Sequence, residues 1–271
     1  MNRRRLLLWV GVAIFAAAFG HVGCAENVRE PRTPAPGQAS VKILTYNVNY
    51  GLAGDDATLQ AILEPDADVV LLQETTSAWE SAVRPRATAY SHVQFREGPG
   101  AGGMGVLSKY PLREQEWIEP PEGGWFPAWR MVVQSPIGDL QVLSVHLRPQ
   151  LSERGSVVSG YFTTPPVREA EIAKYFQALD PSLPTLIAGD FNEGRQGLAL
   201  AHLQRRGFRS RLSEFEKDAD TWRWQTSVGT VESELDHVVT DDRLDVLDVR
   251  VLSRGNSDHL PLVAIVTKAA S

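Results

Sequence analysis

Between residues 41 and 267 the apolar positions come in short runs that end on polar residues. Residues 41–48 are β-rich and stop at a Gly-containing loop. Residues 68–74 form a continuous apolar run closed by a carboxylate, the pattern of a strand buried on both faces. The same punctuation predicts strands at 90–95, 104–108, 129–134, 140–147, 185–189, 235–239, 246–252 and 260–266. Pro136-Ile137-Gly138-Asp139 is a turn that joins two of them as a hairpin. A helix over 57–63 is opened by Asp55 or Asp56 and stopped by Pro65. Helices are also predicted over 167–179, where Ile172, Phe176 and Leu179 share a face, and over 196–205. Many short strands with a few interspersed helices predict an α/β fold of sheets packed on each other with helices outside. A simple doubly wound sheet would alternate more regularly.

Upstream the pattern changes. Arg3, Arg4 and Arg5 precede an uncharged stretch from Leu6 to Phe19, and Gly23-Cys24 follows. A basic start, a short apolar run and a small-residue boundary are the layout of a secretory signal. The run is shorter than the ~20 apolar residues of a spanning helix. The arrangement resembles a bacterial lipoprotein signal, with residues 1–24 as signal and Cys24 as the lipidated residue. The resemblance implies an exported protein on the periplasmic face of a bacterial membrane, held there by its N-terminal lipid. Residues 25–40 are polar and Pro-rich and read as an extended, mobile tether. The folded domain then occupies residues 41–271, and a monomer is expected.

Composition narrows the classes. The 271 residues are 43% hydrophobic and 22% charged, with 7 Trp and 9 Phe, which excludes global disorder. One cysteine excludes an intrachain disulfide framework and a Cys-rich zinc module. The formal charge is −6; loss of residues 1–24 removes three arginines and no acid, giving −9. That balance argues against a broadly basic nucleic-acid surface, though not against a local groove.

The chemical signal lies at the strand ends. Apolar runs close on Asn47, Glu74, His146, Asp190-Phe191-Asn192 and Ser257-Asp258-His259, and a sixth segment, Glu234-Leu235-Asp236-His237, opens on acids. A charge at the rim of a core strand is costly unless it is paired or binds a metal. Six such places on separate strands imply that their ends converge on one polar pocket. A serine triad from Ser257, Asp258 and His259 is excluded, because consecutive side chains cannot form the relay.

In this order, with Gly189-Asp190-Phe191-Asn192 and Ser257-Asp258-His259-Leu260-Pro261 as its most specific segments and Thr221-Trp222 beside them, the sequence resembles the endonuclease/exonuclease/phosphatase superfamily, the fold of deoxyribonuclease I. The likeness spans residues 41–266. It implies a four-layer α/β/β/α sandwich of two mostly antiparallel sheets, a site at one edge, and metal-dependent phosphoester hydrolysis. Phosphoester hydrolysis needs a cation on the phosphoryl oxygens, an oriented water and help for the leaving group. Glu74 is the expected metal ligand, with Asn47 beside it and Asp258 completing the set. Such hard oxygen donors favour Mg²⁺, with Mn²⁺ or Ca²⁺ as substitutes. Asp190 and Asn192, two apart and so on one face of a strand, are expected to hold the attacking water. His259 is assigned to the phosphate, oriented by Asp236, and His146 to the phosphate or the leaving group. Arg130 is a candidate phosphate contact or a structural ion pair.

The substrate class stays open among lipid headgroups, small esters and nucleic acid. The alternatives are an extracytoplasmic nuclease acting on DNA or RNA, and a catalytically silent binding lipoprotein. Arg205, Arg206, Arg209 and Arg211 suit either a phosphate backbone or a solvated helix end. Residues 117–129, with three Trp and Phe126, suit either a stacking or lipid-touching lip or the core. Residues 148–166 are expected to border the pocket, with Arg154 and Tyr161 as substrate contacts.

Overall fold

The structure, a computed structural model, describes residues 28–227 and 229–270. Cys24 and the expected signal lie outside the described residues. In chain order the elements are β1 (Val41–Asn47), α1 (Asp56–Leu63), β2 (Val69–Gln73), α2 (Ser77–Val83), β3 (His92–Arg96), β4 (Met104–Ser108), β5 (Leu112–Ile118), β6 (Ala128–Ser135), β7 (Gly138–His146), α3 (Val157–Thr163), α4 (Pro165–Phe176), β8 (Thr185–Asp190), α5 (Leu198–Gln204), β9 (Arg209–Ser210), α6 (Leu212–Phe215), β10 (Trp222–Thr226), β11 (Gly229–Ser233), β12 (Asp236–Thr240), β13 (Leu244–Val251) and β14 (Leu262–Lys268).

Two six-stranded sheets result, ordered β13-β14-β1-β2-β4-β3 and β5-β6-β7-β8-β12-β9. Each is antiparallel except for one central parallel pair, β1/β2 in the first and β7/β8 in the second. The alternation of each strand sorts its side chains between two layers. Ile43, Val69, Leu71 and Val106 meet Trp129, Met131, Val142 and Ala188 between the sheets. The opposite faces bury Leu44, Val70 and Leu72 under α1 and α2, with Leu59, Ile62 and Trp79. On the other side Leu143, Val145 and Ile187 lie under α4 and α5, with Ile172, Tyr175 and Leu203. The layers are therefore helix, sheet, sheet, helix.

The parallel pairs position the site. Strands β1 and β2 run together, so Asn47 and the residue after Gln73 leave the sheet on one edge. In the facing sheet His146 sits opposite Asp190, and Asp236, opening the antiparallel β12, also pairs with Asp190. Only glycine fits before Asp190: at Gly189 φ is +145° and a Cβ would lie 1.9 Å from the Val145 carbonyl oxygen. That contact lets β8 approach β7 where the site begins.

Several elements carry no strong sequence pattern. Strand β5 is an edge strand whose middle, Arg113 to Glu116, is all charged or polar, and β10–β11 is a separate two-stranded hairpin. Residues 28–40 form no helix or strand, but they are not a free tether. Arg29 and Arg32 donate backbone N–H bonds to the Glu214 and Leu247 carbonyls. Their side chains pair with Glu214 and Asp245, and Arg29 also covers the Phe215 ring.

Candidate active site

Asp190 Oδ2 is the hub of the site. It accepts hydrogen bonds from Asn47 Nδ2 at 3.1 Å and Asn192 Nδ2 at 3.2 Å. The Nε2 atoms of His146 and His259 each lie 3.5 Å away. The other oxygen, Oδ1, accepts from the Asn192 backbone N–H at 2.8 Å. Burial pushes the Asp190 carboxyl up from its ordinary value, while His259 and His146 oppose that rise.

His259 is held on its far side. Its Nδ1 lies 2.8 Å from Asp236 Oδ2. Burial alone would lower the imidazole, but Asp236, Asp190 and Asp258 outweigh it and raise His259 from 6.5 to about 10. Thr221 fixes Asp236 in turn, its Oγ1 accepting the backbone N–H groups of Leu235 and Asp236 at 2.9 Å each. The Leu260 N–H donates to the Thr221 carbonyl at 2.7 Å, which ties both chain segments together.

His146 has the opposite electrostatics. It is stacked on Phe126 with centroids 4.2 Å apart. Burial lowers it to about 4 despite Asp190. At neutral pH the two histidines on one carboxylate therefore differ: His259 is charged and His146 is neutral.

Glu74 and Asn47 lie on the other sheet. Glu74 accepts from Asn47 Nδ2 at 3.1 Å and from the Tyr50 N–H at 3.2 Å. Burial raises its carboxyl above the usual range. Among the described residues no Lys or Arg pairs with it; the nearest basic group is His146 Nε2 at 3.9 Å. Asn49, Glu74 and Asn192 all take left-handed backbone, at φ 60°, 60° and 51°. Such conformations cost non-glycine residues about 1 kcal/mol or more each, and here three converge on one pocket.

The structure brings together Asn47, Glu74, His146, Asp190, Asn192, Asp236 and His259, and differs from expectation at four points. Asn47 turns its amide nitrogen toward Glu74 and Asp190, and its oxygen accepts the Asn49 N–H at 3.1 Å. The carboxyl of Asp258 is held by Asn49 Nδ2 and Trp222 Nε1, both at 3.0 Å, rather than by Glu74 or Asn47. Asn192 meets Asp190 through a turn beyond β8 instead of strand alternation, and its Nδ2 also bonds the Leu147 carbonyl at 3.0 Å. Arg130 is away from the site, its Nε 2.7 Å from Gln141 Oε1 and its guanidinium near Glu114. It points to the outer face of its sheet, as Gln141 does, while Trp129 and Met131 point inward.

Other sequence features resolve similarly. The arginines at 205, 209 and 211 pair with Glu169, Asp242 and Glu214, and Arg206 lies over Phe176. They do not form a free basic surface. Trp129 and Phe126 are buried and Trp117 packs edge-on against Trp129, while Trp125 is half-buried and Glu119, Glu122 and Gly123 are exposed, so most of the aromatic surface of residues 117–129 belongs to the packed domain. Trp125 lies under Arg148 at 3.7 Å. Sequence reasoning singled out Ser257 but not its contact, a hydroxyl bond to the Asn47 carbonyl at 2.7 Å, and it missed the role of Phe126 beneath His146. No local motif marks either contact, since each joins segments far apart in sequence.

The donors suit a hard cation. Glu74, Asp190, Asp236 and Asp258 face a single imidazolium, and Glu74 is buried with amide donors only. Such a carboxylate is stabilised by a divalent ion bound through oxygen. Asp190, Asp236 and His259 also offer ligand atoms within 4.8 Å of one another, a second candidate set. There, however, His259 Nδ1 is already engaged with Asp236.

A sheet sandwich with this acid–histidine cluster at its edge defines a class of hydrolases. The chain belongs to the Endonuclease/Exonuclease/phosphatase family, whose model matches residues 44–259. No curated protein matches the sequence. Among solved structures, an endonuclease/exonuclease/phosphatase from Beutenbergia cavernae is 18% identical with a TM-score of 0.60, covering 85% of this chain and 72% of that one. D. rerio TDP2, complexed with a single strand DNA product, is 16% identical with a TM-score of 0.66, covering 84% and 99%. The human Nocturnin catalytic domain, with bound sulfate anion, is 16% identical with a TM-score of 0.64, covering 85% and 94%. These likenesses establish the shared fold.

Proposed function

We propose that the protein is a metal-dependent phosphodiester hydrolase, exported and anchored to a bacterial membrane through Cys24. One observation carries the catalytic reading: a buried carboxylate, Asp190, lies between a charged and a neutral imidazole, His259 and His146. His259 is set to donate hydrogen bonds or a proton to the phosphoryl group, with Asp236 fixing Nδ1 so that Nε2 faces the pocket. Asp190 orients the attacking water and accepts its proton, while Asn47 and Asn192 hold the carboxylate in place. His146, neutral and stacked on Phe126, is available at the leaving group. A phosphate could not approach four carboxylates and one imidazolium without further positive charge. Glu74 would hold a divalent ion, which would supply that charge and polarise the phosphoryl oxygens.

Paired arginines at 205–211 weigh against the extracytoplasmic nuclease reading, because a nucleic-acid backbone needs unpaired cations. The assembled Asp236–His259–Asp190 chain weighs against a silent binding protein. The test is hydrolysis of a chromogenic phosphodiester by the full chain with Mg²⁺ or Mn²⁺, beside DNA, RNA and phospholipid. Asp190→Ala and His259→Ala should each lose more than about a hundredfold, ~3 kcal/mol of transition-state stabilisation. Undiminished turnover in either variant would remove that residue from the mechanism, and an inert wild type would favour binding alone.

A further inference from the structure

The buried face of α4 is largely polar. Arg168, Glu171, Ile172 and Tyr175 recur at helical spacing and are the residues the helix buries. A helix packed on a sheet ordinarily presents apolar side chains there. Three of these four instead bond to the two segments that meet at His146.

Glu171 is fully buried and holds both segments. Its Oε2 accepts the Arg148 backbone N–H at 2.8 Å, two residues beyond His146. Its Oε1 accepts the Trp125 backbone N–H at 3.3 Å, one residue before Phe126. The loop backbone can come this close because residue 124 is glycine; a Cβ there would lie 2.7 Å from the same Oε1. Neighbouring groups close the same seam. Tyr175 donates its hydroxyl to the Phe126 carbonyl. Arg168 Nη1 donates to the Arg148 carbonyl at 3.1 Å. Arg148 Nη1 donates to the Gly123 carbonyl at 2.5 Å, and its guanidinium covers Trp125.

Burial pushes the Glu171 carboxyl up to about 7, although the two N–H donors and the Arg148 and Arg168 guanidiniums oppose the rise. A buried acid costs stability. An apolar side chain in its place would leave both N–H groups without this partner. The effect of the two bonds falls on His146, whose ring lies on Phe126 with the planes 23° apart. The sheet ladder does not make that contact, since the last pair of β6 with β7 is Trp129 with Ser144. Phe126 and His146 both lie beyond it, and Glu171 bridges the gap.

We propose that Glu171 is a positioning residue that clasps the 119–127 loop to the end of β7, holds Phe126 against His146 and so fixes the imidazole at the leaving group. This rests on the reading of His146 as the residue that serves the leaving group. Two mild variants test it in the full chain. Glu171→Gln keeps the shape but has one acceptor oxygen for two N–H groups, and Tyr175→Phe removes only the bond to the Phe126 carbonyl. Ile172→Val, a core change on the same helix, is the stability control. With Mg²⁺ and a chromogenic phosphodiester, Glu171→Gln should lower kcat about tenfold or more and leave KM within about twofold. Tyr175→Phe should act in the same direction by less, and Ile172→Val should keep its kcat. NMR cross-relaxation between the Phe126 and His146 rings, read without metal, should be lost in Glu171→Gln and kept in Ile172→Val. Because Glu171 acts through His146, adding Glu171→Gln to His146→Ala should slow that variant by no more than about twofold.

A ring contact that survives Glu171→Gln, additive losses in the double variant, or an equal loss of kcat in Ile172→Val would each overturn the proposal. His146→Ala alone reports the underlying reading. Full turnover there refutes the leaving-group role of His146, while the ring contact in Glu171→Gln still decides whether the clasp exists.

Discussion

Replacing Asp236 with Asn tests the electrostatic core of the site. The carboxylate lies 2.8 Å from His259 Nδ1. At an effective dielectric of about 20, two unit charges at that separation attract by roughly 6 kcal/mol. The net rise of His259, from 6.5 to about 10, corresponds to roughly 5 kcal/mol after burial has been overcome. Asp236→Asn removes the nearest charge and leaves Asp190 at 3.5 Å. His259 should then fall by at least about 2 pH units, which makes the imidazole titrate near neutrality. Histidine-labelled NMR reads this directly. The rate at pH 7 should drop ~100-fold, with its pH profile shifted to lower pH. Stability follows with a definite sign. The folded-state value lies above the unfolded one, so the stabilisation is complete below pH 6.5 and is lost as pH rises from 6.5 toward 10. Wild type should lose ~1.4 kcal/mol per pH unit across that window from this group, while the variant loses far less. Urea melts at pH 6.5 and 9 would show it. A wild-type His259 that titrates near 6.5, or one unmoved by Asp236→Asn, refutes the reasoning.

His146 should remain neutral at pH 7 and protonate only near pH 4, with stability lost as pH falls from 6.5 to 4; ¹³C-histidine shifts and acid melts check both. Glu74→Gln should raise the divalent-ion concentration needed for half-maximal turnover by about a hundredfold and leave the melting temperature unchanged or higher, because a buried uncompensated charge is lost. Arg130→Met should destabilise by about 1–3 kcal/mol in urea, since Gln141 Oε1 loses one of its two donors and keeps only the Asp180 N–H, yet leave kcat within about twofold. Gly189→Ala should cost on the order of 3 kcal/mol or more, read as loss of soluble folded protein, because the new Cβ meets a backbone oxygen rather than a flexible side chain.

The sequence was most readable where one physical rule decided the outcome. Buried strands such as β2 and β8 are unbroken apolar runs, and the residue that closes each run lands at the catalytic edge. Residue identity was less informative where function depends on which atom faces inward. Asn47 is at the site, but the Asn49 N–H claims its oxygen and turns its nitrogen to the carboxylates. Two-residue spacing correctly joined Asp190 and Asn192 for the wrong reason, because the left-handed turn at Asn192, not strand alternation, brings them together. Glu193 and Arg168 illustrate what spacing cannot reveal. They form a buried ion pair beside the site, at 3.1 Å, from elements 25 residues apart. The aromatic loop at 117–129 was ambiguous because Trp serves cores and surfaces alike, and the neighbouring sheet settled its role.

The same charge accounting bears on substrate choice. Catalytic acids make the pocket negative, and the arginines that would oppose it are consumed by partners: Arg168 by Glu193, Arg195 by Glu234, Arg211 by Glu214. Long-range attraction of a polyanion is therefore weak, and recognition must come from contacts near the scissile bond. The groove beside the site mixes apolar side chains, Tyr161, Phe162 and Leu198, with charged ones of both signs, among them Arg168, Arg195, Asp218, Asp220 and Glu234. A small phosphodiester bound at the scissile bond needs no long-range attraction, whereas a long nucleic acid gains much of its affinity from it. Discrimination of this kind should be nearly independent of ionic strength, whereas a backbone-tracking nuclease would lose ~10³-fold or more in affinity between 50 and 200 mM salt. Turnover of phospholipid and of DNA across that salt range separates the two, and a steep salt dependence on either substrate would show that unpaired cations, not contacts at the scissile bond, select what binds.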